Sequence, residues 1–147
     1  MSDSNTGTVI ELFISNKDRG RENKDKIELQ SDGICEDKFY GKEVERSILL
    51  TSYESYSLAK EKGINAPLGS LGENILIDIN PYALKSGTKI SIGEVVVEIT
   101  QNCTICNSLA KVDVNLPKVL KSDRGIFAKT IKSGKIRKGD TVNILNY

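Results

Sequence analysis

Short runs of alternating apolar and polar residues, broken by glycine, make up most of this chain. Residues 7 to 14, GTVIELFI, set Val9, Glu11 and Phe13 against Ile10, Leu12 and Ile14, the period of two that a strand requires. KIELQ at 26–30 and RSILL at 46–50 read the same way, with turns at Asp32-Gly33 and Tyr40-Gly41 between them. The charged, turn-rich segment SNKDRGRENKDK reads as a surface loop with no role of its own. Helical spacing is convincing in one place only. Thr51 with Glu54 three residues on has the form of a capping box, Tyr53, Tyr56, Ala59 and Lys60 follow, and Gly63 supplies the stop.

Further along, KSGTKISIGEVVVEI and KSGKIRKGDTVNIL share an order: Ser-Gly, Ile, a glycine, an acidic residue, then alternating Val and Ile. In each copy a strand is expected to turn, at Gly93 or Gly139, and return as another strand. The pattern predicts a mainly β fold, a closed or nearly closed barrel with one main helix packed outside and short helical turns. The period is not that of a solenoid.

At 147 residues the chain is expected to form one domain, 1–147, large enough to fold without a metal or disulfide staple. Its 21 Lys+Arg and 20 Asp+Glu nearly cancel and are dispersed, so no overall field draws it to nucleic acid or to anionic lipid. No apolar run approaches the ~20 residues of a membrane span, and MSDSNTGT lacks the layout of a signal peptide. A cytoplasmic protein is expected, and its three cysteines are then read as thiols. There is no histidine. That removes Ser-His and Cys-His dyads, His-ligated zinc and the usual general base.

Chemistry therefore rests on thiolates, carboxylates, amines, guanidinium groups or a cofactor. Cys103 and Cys106 stand three apart in NCTICNSLAKV. With Cys35 as the only other thiol, a four-ligand zinc or iron–sulfur site is short of ligands. Three readings remain open: a C-x-x-C dithiol, two small half-buried side chains at a strand end, or a single thiolate that binds a soft metal or carries sulfur. In GSLGENILID, Gly69 and Gly72 allow a tight turn whose N–H groups would suit an anion, and a buried Glu73 beside Asn74 would need hydrogen-bond partners. Arg46, just ahead of SILL, is placed to enter a barrel and hold a carboxylate or phosphate. For it, as for Lys38, Arg124 and Lys129, an exposed surface position is the simpler expectation.

With these residues in view, the chain resembles the MOSC domain, the module named after the C-terminal part of molybdenum cofactor sulfurase. The likeness is to the small stand-alone bacterial members and runs nearly end to end. It is carried by DGICEDKFYGKEVERSILLTSYE, by PLGSLGENILID with its Gly-Glu-Asn word, by LKSGTKISIGEVVVEITQNCTIC, and by RGIFAKTIKSGKIRKGDTV. The resemblance implies a β-rich barrel with a pocket for molybdenum cofactor and one cysteine as metal ligand or sulfur carrier. Counting six residues on from Thr100 in the Thr-Gln word points to Cys106 as that thiol, with Cys103 as its neighbour. Arg46, Gly72, Glu73, Asn74, Thr100 and Cys103 carry over as cofactor-binding positions. Relatives place histidines where this chain has Glu36, Asp37, Lys38, Phe39 and Tyr40, and proline where it has Ile105. A proton-moving histidine would have to be replaced by Glu73, Tyr40 or a water.

In such a site the pterin phosphate would fall to Arg46 and the glycine-bearing loop, the pterin edge to Glu73 and Asn74, and the metal to Cys106. Two functions then compete. One is a molybdoenzyme that reduces small N-hydroxylated compounds with electrons from a separate donor protein. The other is a carrier that delivers cofactor or persulfide sulfur. A dithiol oxidoreductase is the third, and it alone requires both cysteines.

Overall fold

The computed structural model describes residues 6–103, 112–120 and 124–145. Its strands are β1 (Thr6–Asn16), β2 (Gly20–Lys24), β3 (Lys26–Gln30), β4 (Gly33–Ile34), β5 (Ile48–Ser52), β6 (Ile75–Ile77), β7 (Lys89–Ile92), β8 (Val95–Asn102), β9 (Ile126–Lys132), β10 (Gly134–Arg137) and β11 (Thr141–Leu145). A 3-10 turn covers Val44–Arg46, helix α1 covers Tyr53–Glu61, and a short helix covers Leu116–Leu120.

Alternation along β8 is the simplest case: Val95, Val97 and Ile99 are buried while the residues between them are half-buried. The same period in β1, β5, β6, β7, β9 and β11 aims one set of side chains at a common interior. An eight-stranded sheet in the order β11-β7-β8-β9-β5-β6-β1-β2 curls until β1 meets β11, with Thr6 opposite Asn143. All of these strands except β2 thus form a closed barrel. Closure leaves its backbone groups no free edge. Ile48, Leu50, Ile75, Ile77, Ile90, Ile92 and Val97 fill it at 0% exposure. Each such side chain contributes roughly 1.5–3 kcal/mol by leaving water.

Among the described residues only β5 and β6 run parallel, and a parallel pair needs a crossover. Helix α1 and the loop after it, 62–74, are that crossover. Tyr56 and Ala59 of α1 pack with Leu71, Leu76, Leu116 and Leu120 in a second, smaller core on the barrel's outer side. β5 and β6 are consequently buried on both faces. The expected mainly β architecture with one main helix is what the chain forms.

Three local expectations are corrected. The segment read as a loop, SNKDRGRENKDK, holds β2, paired to the end of β1 from Leu12↔Lys24 to Asn16↔Gly20. Asn16 makes the turn, its Oδ1 accepting the N–H groups of Asp18 and Arg19. An edge strand with little to bury has no apolar period, which is why it escaped the pattern. The helix cap is Ser52, whose side chain accepts the Glu54 N–H; Thr51 remains in β5 and donates to the Arg124 carbonyl. Tyr82 bolts the same corner, accepting the Ser52 N–H at 2.7 Å and sharing a hydrogen bond with Ser55 Oγ at 2.6 Å. Finally, the two sequence copies differ in space. The first is a hairpin, β7 on β8. In the second, β10 joins β3 in a small three-stranded sheet while β11 goes to the barrel.

Candidate functional site

Where the end of β1, the crossover loop, the ends of β8 and β9 and the 35–47 loop converge, the surface opens into a cavity of about 370 Å³. That is within the range of small-molecule sites. The 35–47 loop supplies the largest share of its lining, and the crossover loop adds Gly72 and Asn74. Gly69 and Gly72 both have left-handed backbones, at φ 92° and 90°. A Cβ on Gly69 would stand 2.7 Å from the Phe13 ring, and one on Gly72 would stand 3.2 Å from Arg124 Nη2. Both the turn and the close approach demand glycine.

Two arginines hold the crossover loop, Arg124 buried and Arg21 with its guanidinium tucked against the loop's carbonyls. Arg21, from β2, donates through Nη2 to the Gly69 carbonyl at 3.0 Å and to the Glu73 carbonyl, and through Nη1 to Ser15 Oγ. Its guanidinium lies 5.4 Å from the Phe13 ring centre. Burial pulls its pKa down, against the charges of Glu73 and Asp37. From the other side Arg124, 5% exposed, donates from Nε and Nη2 to the Leu71 carbonyl at 3.2 and 3.0 Å. The surface position expected for Arg124 is therefore corrected.

The loop's N–H groups turn inward. Gly69 donates to Tyr56 Oη and Glu73 Oε2, Ser70 to the Pro67 carbonyl, Gly72 to the Gly69 carbonyl and Asn74 to the Leu49 carbonyl. Positive charge at the cavity thus comes from side chains, not from outward backbone donors at these positions.

Of the residues singled out in sequence, Lys38, Arg46, Gly72, Asn74, Cys103 and Arg124 line the cavity. Asn74 Oδ1 accepts the Leu49 N–H at 3.0 Å and its Nδ2 donates to the Phe13 carbonyl at 3.2 Å, tying β5 to β1. Cys103 is 2% exposed at the end of β8, its N–H donating to the Gly125 carbonyl at 3.0 Å. Arg46 lies 5.2 Å from the Phe127 ring centre, with Nη1 3.6 Å from Glu43 Oε2 and a buried Nε that has no hydrogen-bond partner among the described residues. Thr100 stands behind it, donating through Oγ1 to the Glu45 carbonyl and so fixing the turn that carries Arg46.

Glu73 is wholly buried, and its carboxylate faces Tyr56 Oη and the Gly69 N–H rather than the cavity lining. Burial pushes it above the usual carboxylate range, although the Tyr56 hydrogen bond and Arg21 oppose that shift. Tyr56 is pushed up as well, by burial and then by Glu73. Cys106 lies outside the described residues. Cys35 belongs to a separate cleft, beside Lys24, Lys26 and Lys135.

Sequence reasoning missed Arg21, Asp37, Phe127 and the Tyr56 hydroxyl. Asp37 is buried, its Oδ1 accepting the Ser15 N–H at 2.7 Å and its Oδ2 the Phe39 N–H at 3.1 Å, and it pins the mouth loop to β1. In total the lining holds the cations Arg21, Lys38, Lys42, Arg46 and Arg124 against the carboxylates Asp37 and Glu43. The geometry defines a binding barrel with a thiol in a cationic pocket.

That class has a family. The MOSC domain model matches residues 36–143, and the chain belongs to the MOSC domain family, whose members commonly bind molybdenum cofactor. Among solved structures it is similar to the YuaD protein of Bacillus subtilis, with a TM-score of 0.85, 19% identity and 97% of each chain covered. It is also similar to YiiM of Escherichia coli, with a TM-score of 0.72, 18% identity, 97% of this chain and 70% of that one. YiiM of Geobacillus stearothermophilus follows at 0.68 and 16% identity, with 95% and 73% covered. At these identities the likeness shows the fold. Comparison with curated proteins gives no match. Among the described residues, no helix is long and apolar enough to cross a membrane.

Proposed function

We infer that the cavity binds molybdenum cofactor and that the protein reduces small N-hydroxylated compounds with electrons from a separate donor protein. One observation carries the reading: a buried thiol, Cys103, lies in a lining with five cationic side chains and two carboxylates. This donor set suits a group that combines a soft, sulfur-bound metal with a phosphate. The two-electron redox chemistry is what the cofactor supplies when bound.

This chain's residues do the rest. Arg46, already poised over Phe127 with Nε unbonded, offers a fork for the phosphate. Arg21 and Arg124 keep the Gly69–Glu73 wall in place, so their charge reaches the cavity while their donors serve backbone carbonyls. Asn74 holds β1 and β5 at the width the cavity needs. Cys106 is assigned as the metal-directed thiolate, following the family word, and Cys103 as the thiol beside it. Neither Glu73, turned toward Tyr56, nor Tyr40, whose hydroxyl donates to Gln30, is aimed into the cavity, so the proton for an N–O cleavage falls to water in the cationic pocket. The overall conversion of R–NH–OH to R–NH2 and water consumes two electrons and two protons.

The test is metal and released-pterin analysis of protein purified anaerobically after co-expression with cofactor supply, beside Cys106→Ser and Cys103→Ser. Near-stoichiometric molybdenum and pterin, with the metal lost only from Cys106→Ser, is the expected result. No molybdenum or pterin in any of the three would overturn the reading.

A further inference from the structure

The mouth of the cavity is a loop whose backbone is fixed and whose side chains are not. Lys38 N–H donates to the Ser15 carbonyl at 2.7 Å, Tyr40 to Asp37 at 3.0 Å, Gly41 to Asp32 at 2.8 Å and Lys42 to Phe39 at 3.0 Å, and Asp37 anchors the set from inside. On this scaffold Phe39 stands 52% exposed at the cavity's edge, although a ring of that size ordinarily finds cover. Lys38 Nζ lies 5.2 Å from its centre. Among the described residues neither Lys38 nor Lys42 is part of an ion pair, whereas Arg46 and Lys129 nearby are. The lining's five cations outnumber its two carboxylates, and the salt bridge of Glu43 goes to Arg46, not to Lys38 or Lys42.

We propose that Lys38, Phe39 and Lys42 determine specificity: the substrate admitted is a flat aromatic ring bearing an anionic group, its ring against Phe39 and its charge at the two lysines. This deepens the reading of the cavity as a small-molecule site and rests on it. Pre-fixed backbone keeps the ordering cost of recognition low. Positive potential focused in a cleft favours anions over neutral compounds of equal shape, and the advantage is screened by salt. Aromatic stacking adds a contribution that does not depend on charge.

The experiment compares naphthalene-2-carboxylate with naphthalene-2-carboxamide by ligand-observed NMR titration, in cofactor-loaded and in cofactor-free protein. The carboxylate is expected to bind about tenfold more tightly than the amide, from two charge contacts of the exposed type. In a Lys38→Ala/Lys42→Ala double variant that preference should fall to about twofold or less, with amide binding unchanged. Phe39→Ala should weaken both compounds about equally, by roughly fivefold. Added salt should weaken the carboxylate alone. Equal affinity of the two compounds for the unaltered protein, or a preference that survives the double variant, would overturn the proposal. The lysines are exposed, so folding is not at stake. Because the rim does not depend on cofactor, the preference reads in cofactor-free protein too, whereas the cofactor reading fails only by missing molybdenum and pterin.

Discussion

At the floor of the cavity, Arg21 and Arg124 give their donors to the carbonyls of Gly69, Leu71 and Glu73, and Asn74 is bonded at both ends of its amide. At the mouth, Lys38 and Lys42 have no ion-pair partner among the described residues and Phe39 is half in water. Side chains at the floor thus serve the shape of the protein first and any ligand second. Lys38 and Lys42 at the mouth have no such duty beyond the contact of Lys38 with the Phe39 ring, so their chemistry is available to whatever arrives. The same residue type, a basic side chain, does opposite work in one cavity according to what its donors already touch.

The sharpest way to break this contrast is Arg124→Met. It keeps much of the volume but leaves the buried Leu71 carbonyl without its two donors, and a loss of about 2–3 kcal/mol is expected in urea unfolding. A loss below about 0.5 kcal/mol would mean that the floor does not depend on the clamp. Next is Glu73→Gln, which keeps an acceptor for Tyr56 but cannot ionise. Because burial raises the folded-state pKa of Glu73, the native protein binds this proton more tightly than the unfolded chain does. Its contribution is therefore fully present below the unfolded value of about 4.3 and is lost as pH rises through the folded one. The variant should gain on the unaltered protein as pH rises from the unfolded value towards neutrality. A stability difference flat across that range would show that Glu73 carries its charge as easily folded as unfolded. Smallest is Tyr40→Phe at the mouth, which loses only an exposed hydrogen bond to Gln30. It should shift unfolding by no more than about 0.5 kcal/mol.

The same contrast explains what the sequence makes legible. Strands with one face inward, such as β3 and β8, announce themselves through a period of two, and β3 has the residues expected of it. The Gly-Glu-Asn word and Cys103 are legible because residue types of that kind, in that order, are rare without a reason. Arg21 and Arg124 are not, since what they hold is decided by partners 48 and 53 residues away that no local pattern reveals. The hairpin that delivers Arg21 looks like solvent-facing chain because it is an edge. Glu73 is the intermediate case: its need for partners is foreseeable, but Tyr56 as the donor requires the helix to be packed first.

Barrel closure through β1 and β11 has a kinetic meaning. Thr6 and Asn143, which share both a ladder register and a side-chain hydrogen bond, stand 137 residues apart. During synthesis the first strand has no partner on that side until almost the last one leaves the ribosome, and contacts of such long range make folding slow. Nascent β1, with its apolar face, is thus the stretch that a chaperone would have the longest opportunity to hold.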